Sequence, residues 1–542
     1  MELKQQDTIS CDVLVIGGGG GGLTAAIRAR EAGADVVIVS KSRVGYGNNT
    51  FISKGVFAAA TGRPDPADGP EAHVRDTFNG GRSINDPGLV RAVTARAADQ
   101  IAFLERCGGK FHKRDGDLQI QQAPGHGYPR HVRSEHQSGK EFILPLRSHA
   151  RRIGVRFADR VFITRLFSEG QVFRGALGVT HEAEAAIFAA GCGVLATGGF
   201  GQAYRYTNNA AGMTGDGLVL AYDLGLPLRD MEFVQFYPTA LSQGTRILLY
   251  EAFVARAGAV LRNSLGEDIL IRNGLLDPMK VTRDQLARTI MFEVLEGRGV
   301  DGGVIMDMAS VSDEDLGRLG HLLPSNRASE QKEYHVSPTT HFCMGGIATN
   351  ARAETALKGL YAAGEVCGGM HGANRLAGNA LTEVFAMGGV SGEAAAAEAL
   401  RTKAAPLDET VIASEKAGLE SVLAGGKGDI RELRKEAGEL MWANAGIIRD
   451  GGGLAGAVER LQKLQSRLSQ VGIREPRELC KYLELKNMLT VSEMVCRAAL
   501  MRTESRGAHF RKDCPEENNE EWLKNIIIRK QGTKMALEVV GV

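Results

Sequence analysis

The sequence predicts an α/β dinucleotide-binding fold that gives way to a helical C-terminal domain. Three observations carry this. The chain has 542 residues, too many for one compact core, so about two to four domains are expected. Residues 12–40, "DVLVIGGGGGGLTAAIRAREAGADVVIVS", read as an apolar strand, a glycine turn, a helix and a second apolar strand. Near residue 400 the pattern changes from apolar strands and glycine turns to helical spacing with charged faces.

In the first of these segments, Gly17, Gly19 and Gly22 fit GxGxxG. The first glycine allows the tight turn and the second lets the backbone approach a pyrophosphate. The third lets the helix pack on the strand, and the helix N-terminus favours the anion. The second strand ends in Ser40 rather than an acid for a ribose 2′-hydroxyl, which points away from NAD and leaves FAD open. Further along, "VLATGGFG" (194–201), "MTGDGLVLAYDLGL" (213–226) and "GLYAAGEVCGGMHGANRLAGNALTEVFAMGG" (359–389) are strands and helices punctuated by glycine. Asp216 and Glu365 sit beside glycines there, as turn residues or as acceptors for ribityl or ribose hydroxyls. From about 410 to 510, "ASEKAGLESVLAG", "DIRELRKEAGELMWANAG" and "GLAGAVERLQKLQSRLSQ" give the helical domain.

Composition excludes several classes. The formal net charge is +1, from 65 basic and 64 acidic residues, so no nucleic-acid footprint is expected. The 69 glycines show no collagen-like period and point to tight turns and close backbone approach to ligands. Eight scattered cysteines form no CxxC pair, which argues for reduced thiols and against a disulfide framework, a metal site or an iron–sulfur cluster in this chain. The polar start "MELKQQDTIS" lacks a signal-peptide core. The longest apolar run, 185–201, is glycine-rich and reads as a buried strand with its turn, not a transmembrane helix. A cytoplasmic protein is expected, able to dock on the inner face of a membrane.

Long motifs then carry a resemblance. "GGGGGGLTAA", "DMEFVQFYPT", "VTRDQLAR", "SPTTHFCMGGIAT", "GEVCGGMHGANRLAGNAL" and "RTESRGAHFRKDCPEENNEEWL" are similar to the flavoprotein subunit of succinate dehydrogenase and fumarate reductase, with soluble fumarate reductases and L-aspartate oxidase as related branches. The resemblance runs nearly end to end. It implies a Rossmann-like FAD-binding domain (1–240 and 351–405), an inserted α+β capping domain (241–350), a helical domain (406–515) and a C-terminal tail (516–542). It also implies hydride exchange between FAD N5 and a carbon of a C=C/CH–CH pair flanked by carboxylates.

The resemblance assigns roles by position. Cofactor contacts are expected from Ser40, Lys41, Asn49, Thr50, Gly55, Asp216, Glu365, Asn379 and Leu381. The histidine that bonds flavin covalently in the membrane-complex enzymes falls at Asn49, so FAD should be held non-covalently and be a better reductant. Arg375 matches a carboxylate-binding arginine, whose guanidinium fork grips a carboxylate bidentately, and His341 a substrate-binding histidine. Arg283 matches a proton-shuttling arginine, with Glu251 and Arg256 as relay members; an arginine serves as an acid only if neighbours re-protonate it. Asp284 either orients Arg283 or caps its helix. Two departures alter the pocket: Tyr237, the third expected substrate contact, stands where the family has, in FQFHPT, a histidine that clamps a substrate carboxylate, and keeps a donor without the charge; Tyr250 replaces a threonine beside Glu251. Either the tyrosine is a tolerated swap and the substrate is fumarate or succinate, or the pocket takes another enoate such as an aryl acrylate.

The expected activity is thus interconversion of a 2-enoate and its saturated acid, in complex with an iron–sulfur partner that supplies electrons. The rivals are an amino acid oxidase like L-aspartate oxidase and an electron-transfer subunit with a dead pocket. Retention of Arg283, His341 and Arg375 together argues against the latter.

Overall fold

Strands buried on both faces need apolar residues at every position, and the first sheet is built from such runs. The computed structural model describes residues 3–241, 247–319, 332–402, 404–423, 428–473 and 475–542. Its largest sheet contains β1 (Ile9–Ile16), β2 (Val36–Ser40), β3 (Arg156–Asp159), β4 (Val161–Glu169), β5 (Val172–Thr180) and β6 (Ala185–Leu195) in the order β3-β2-β1-β6-β5-β4. The β1, β2, β3 and β6 pairings are parallel, with Val13 opposite both Val36 and Cys192. All eleven residues of β6 are buried, as the apolar run predicts. This strand has two neighbours on one edge. Ala185–Ala189 pair with β5, and Gly193–Leu195 with the returning strand Leu360–Ala362.

Between β1 and β2 runs α1 (Gly20–Glu31). A later helix, α6 (Asn379–Ala399), crosses α1 at close range because both are built of small residues there. A Cβ on Gly392 would lie 2.2 Å from the Ala25 carbonyl oxygen, and one on Gly388 2.8 Å from that of Gly21. This contact fixes the start of α6 beside the glycine turn.

The inserted segment forms a second body. β7 (Val234–Leu241), β8 (Val260–Arg262), β9 (Val304–Asp307) and β10 (Glu333–Cys343) make an antiparallel sheet in the order β7-β10-β9-β8. Its own apolar core, including Leu249, Phe253, Leu261, Ile290, Met306 and Tyr334, is separate from that of the large sheet. The β7–β10 register slips between Tyr237 and Ala240. Pro238 lies in this gap; it has no N–H to give the ladder, and such an irregularity re-aims neighbouring side chains.

Four helices follow: α7 (Glu409–Val422), α8 (Ile430–Asn444), α9 (Gly451–Leu468) and α10 (Pro476–Met501). Their leucines, such as Leu454, Leu461, Leu464 and Leu485, share one continuous core with the large sheet. The C-terminal residues are more than a tail. β11 (Lys524–Gln531) and β12 (Lys534–Gly541) form a hairpin that pairs through Ile527 and Ile528 with the short strand Leu228–Arg229.

Candidate active site

A cleft of about 890 Å³ runs from the glycine turn to the inserted domain, at the upper end of the roughly 300–1,000 Å³ usual for ligand sites. At its inner end, Gly17 has φ +125° and its Cβ would sit 2.1 Å from the Ala196 carbonyl oxygen, so only glycine fits. Gly19 is the N-cap of α1 and supplies no side-chain cap; the helix start lines the cleft with its amides available to an anion. Gly22 packs instead of lining: its Cβ would meet the Gly17 carbonyl oxygen at 1.9 Å. Ser40 Oγ lies 3.5 Å from Ser42 Oγ on the cleft wall. Lys41 Nζ stands 2.7 Å from Asp216 Oδ2 and 2.9 Å from Glu484 Oε1. Asp216 opens the helix α3 (Asp216–Asp223) and also accepts from Asn487 at 3.0 Å.

In the middle, Asn49 begins the short helix α2 (Asn49–Ile52). Its Nδ2 donates to Glu365 Oε2 at 2.9 Å and to Asn209 Oδ1 at 2.8 Å, and its Oδ1 accepts from the Ala210 amide at 2.9 Å. The carboxamide is therefore engaged by protein on both ends. Thr50 Oγ1 accepts from the Gly20 amide at 3.2 Å, tying this segment to the glycine turn. Glu365 also accepts from the Cys343 amide at 3.2 Å. Burial pushes its carboxyl up to about 7, against the Asn49 and Cys343 hydrogen bonds that lower it. Leu381, near the start of α6, lines the wall.

Two expected cofactor contacts lie elsewhere. Gly55 has φ +59° and a Cβ there would meet Ser134 Oγ at 2.5 Å, so the residue serves close packing rather than the cleft wall. Asn379 is fully buried. It turns inward, 2.8 Å from His73 Nε2, and donates to Thr77 Oγ1 at 3.0 Å. The backbone turn, the helix start and the acid acceptors together fit an adenine–flavin dinucleotide held by Gly17–Gly20, Ser40, Asp216, Thr50 and Glu365.

The outer end holds the titratable cluster. Arg283 is the first residue of α5 (Arg283–Leu295), whose start is fixed by a capping box between Thr282 and Gln285. Its Nε donates to Glu251 Oε1 at 2.7 Å. The Tyr237 hydroxyl donates to the other oxygen of the same carboxylate, and the Arg283 guanidinium lies 4.7 Å from the Tyr237 ring centre. Burial pushes Glu251 up, but Arg283 and the Tyr237 hydroxyl outweigh it and hold the carboxyl below its ordinary value. Tyr237 is raised well above the ordinary phenol range, by burial and then by Glu251. The expected clamp is thus committed to Glu251. Tyr250 completes the aromatic wall, 6.1 Å from Tyr237 between ring centres.

His341 lies 5.3 Å from the Tyr237 ring. Its Nδ1 lies 3.0 Å from Asn208 Nδ2 and 3.3 Å from Asn208 Oδ1, so the Asn208 amide sets which ring nitrogen carries the proton. Burial, with Arg375 and Arg283 nearby, drives its pKa well below the usual range, so this ring is neutral. Arg375 donates to Gln235 Oε1 at 2.8 Å and stacks 4.9 Å over Phe342, while its buried Nε has no partner among the described residues. Burial and then Arg283 pull Arg375 down to about 9. Such a guanidinium is short of an anion.

Arg256 ends the short helix α4 (Ala252–Arg256); it lies at the rim, where it donates to the Gln122 carbonyl. Asp284 accepts from Asn374 Nδ2 at 2.7 Å. It steadies the segment before Arg375, a task in neither sequence expectation. Sequence reasoning missed Gln235, which holds Arg375 and lies inside the VQFYPT string where attention fell on Tyr237, and Lys54, on the cleft wall, a lone lysine after a turn that matches no motif.

Comparison with known proteins gives concordant results. A family model described as "FAD binding domain" matches residues 12–381, and one described as "Fumarate reductase flavoprotein C-term" matches residues 434–542. One subunit of the "Fumarate reductase (CoM/CoB)" of Methanothermobacter marburgensis is 36% identical, covering 99% of this chain and 100% of its own. A "Fumarate reductase flavoprotein subunit" of Mycobacterium tuberculosis is 32% identical over 97% of this chain and 95% of its own. Among solved structures, the E. coli quinol fumarate reductase chain FrdA superposes with a TM-score of 0.91 at 28% identity, over 99% of this chain and 97% of that one.

Proposed function

This chain belongs to the fumarate reductase/succinate dehydrogenase flavoprotein family, and from that membership we propose that it reduces the C=C bond of a fumarate-like 2-enoate. It is an FAD-dependent oxidoreductase. FAD, when bound, supplies hydride chemistry at its N5. With Asn49 in the place of the bonding histidine, and its carboxamide engaged by Glu365, Asn209 and Ala210, the cofactor is held without a covalent bond.

The protein's own part is to orient the acid and move a proton. Arg375 offers a desolvated guanidinium to one substrate carboxylate, and the neutral His341 ring stands beside it. Arg283 delivers a proton to the carbon next to the one that takes the hydride, and Glu251, hydrogen-bonded to it, relays a replacement proton taken from water. The observation that carries this reading is the Arg283–Glu251 pair, at 2.7 Å, in the same cleft as an Arg375 without a carboxylate partner. An arginine serves as an acid only if a neighbour returns its proton, and Glu251 is the group placed to relay one. No helix of the described residues is long and apolar enough to cross a membrane, and all eight cysteines are free. In this reading the electrons come from a separate iron–sulfur protein, the kind of partner that membership in this family suggests.

The Tyr237–Tyr250 wall favours one second reading, a bulkier enoate such as an aryl acrylate. A single experiment separates the two. Photoreduced holoprotein is mixed anaerobically with fumarate, crotonate and cinnamate, and the oxidised flavin band is followed. Fast return with fumarate supports the first reading. Response to cinnamate alone supports the second, and silence with every enoate overturns both.

A further inference from the structure

We propose that Lys54 is an anion-binding, specificity-determining residue of the cleft, taking the substrate carboxylate farther from Arg375. This rests on the enoate reading above. Lys54 follows α2 by two residues and lines the same cleft as Arg283, His341 and Arg375. Its Nζ lies 5.8 Å from the Tyr250 ring centre. From there the Tyr250 and Tyr237 rings lead in two steps, 6.1 and 5.3 Å between centres, to His341. Lys54 thus stands at one end of an aromatic row whose other end is the histidine beside Arg375.

Charge accounting selects it. Lys41 is matched by Asp216 and Glu484, and Arg283 by Glu251. Arg256 is engaged at the rim by the Gln122 carbonyl. Among the described residues neither Arg375 nor Lys54 forms an ion pair. Arg375 and Lys54 therefore both face the cavity with no ion-pair partner among the described residues, which suits a ligand with more than one negative charge. Tyr237 is unavailable for the second one, because its hydroxyl is committed to Glu251. Burial lowers the Lys54 pKa with no acid opposing the shift, so its ammonium is partly desolvated and uncompensated, a condition that a bound carboxylate relieves.

The test uses holoprotein, with K54Q and K54R against the parent at fixed ionic strength. Binding of malonate and of propionate, which offer no double bond, is read from perturbation of the flavin band. KM and kcat are measured with fumarate and crotonate. K54Q is expected to raise the malonate Kd and the fumarate KM about 10- to 100-fold, the loss of one charged hydrogen bond. Propionate, crotonate and kcat should change little, and K54R should restore most of the loss. Equal weakening for mono- and dicarboxylates, or no weakening, overturns the proposal. Lysine-dependent malonate binding in a protein that no enoate reoxidises would sustain the anion site while removing the enoate reading.

Discussion

At the scale of the residue, Tyr237 illustrates how a substitution can change role rather than strength. A tyrosine in place of a histidine reads in sequence as a weaker carboxylate contact. In the fold its hydroxyl is bonded to Glu251 while the Arg283 guanidinium lies over its ring, so it positions the base of the proton relay. Y237F should therefore lower kcat about tenfold, the cost of one hydrogen bond to a charged group, and leave the fumarate KM nearly unchanged. A residue that bound substrate would move KM, so steady-state kinetics on the variant decide between the roles. Glu365 gives a second residue-level expectation. Its native pKa is near 7, against an ordinary 4.5, because burial disfavours the charge. Below about 4.5 it is protonated in both states and costs nothing. As pH rises to about 7 the unfolded chain releases a proton that the native, flavin-free protein retains, so stability falls across that window. The loss is on the order of 3 kcal/mol. Urea unfolding of the flavin-free protein at pH 5 and 8 should show it, and E365Q should flatten it. That Arg283, His341 and Arg375 line one cleft was legible because each sits in a long, distinctive string, whereas Glu251 was placed only by its position in a less regular segment. Asn379 and Gly55 were assigned to the cofactor, yet they support it from behind the wall, since sequence position does not show which way a buried side chain turns.

At the scale of the element, α5 is the piece on which the chemistry turns. Arg283 occupies its first position, and the Thr282–Gln285 box fixes where that position falls: Gln285 Oε1 accepts from the Thr282 amide at 3.1 Å. Thr282→Ala should cost about 1 kcal/mol of stability, read as a lower urea midpoint. It should also depress kcat, because the guanidinium moves with the helix start. The β1–α1–β2 unit and α7 to α9 were readable, as glycine spacing and charged-faced helical periods are local signals. The long helix α10 was not singled out in advance. Six successive residues, 491–496, are all buried, so burial goes right round the helix there, which erases the amphipathic stripe that marks a surface helix. The β11–β12 hairpin was missed for a different reason. Its pairing partner lies near residue 228, and no local pattern reports a contact across that separation.

At the scale of the whole molecule, two bodies share one cleft. Asn49, Glu365, Arg375 and Lys54 belong to the part built on the large sheet, while Tyr237, Tyr250, Glu251 and Arg283 come from the inserted body with its separate core. The proposed relay thus lies within one body and the cations for the carboxylates within the other, so the two sets come together only where the bodies meet, an arrangement suited to gating by closure. The inner end of the cleft is likewise composite. Lys41 ends the first β-α-β unit, yet one of its two carboxylate partners, Glu484, is 443 residues downstream on α10. A ribosome that has made the glycine turn, β2 and most of the large sheet has still not made this side chain. Until α10 is made the nascent chain exposes a half-built nucleotide groove, so firm cofactor retention is expected only late in the protein's synthesis.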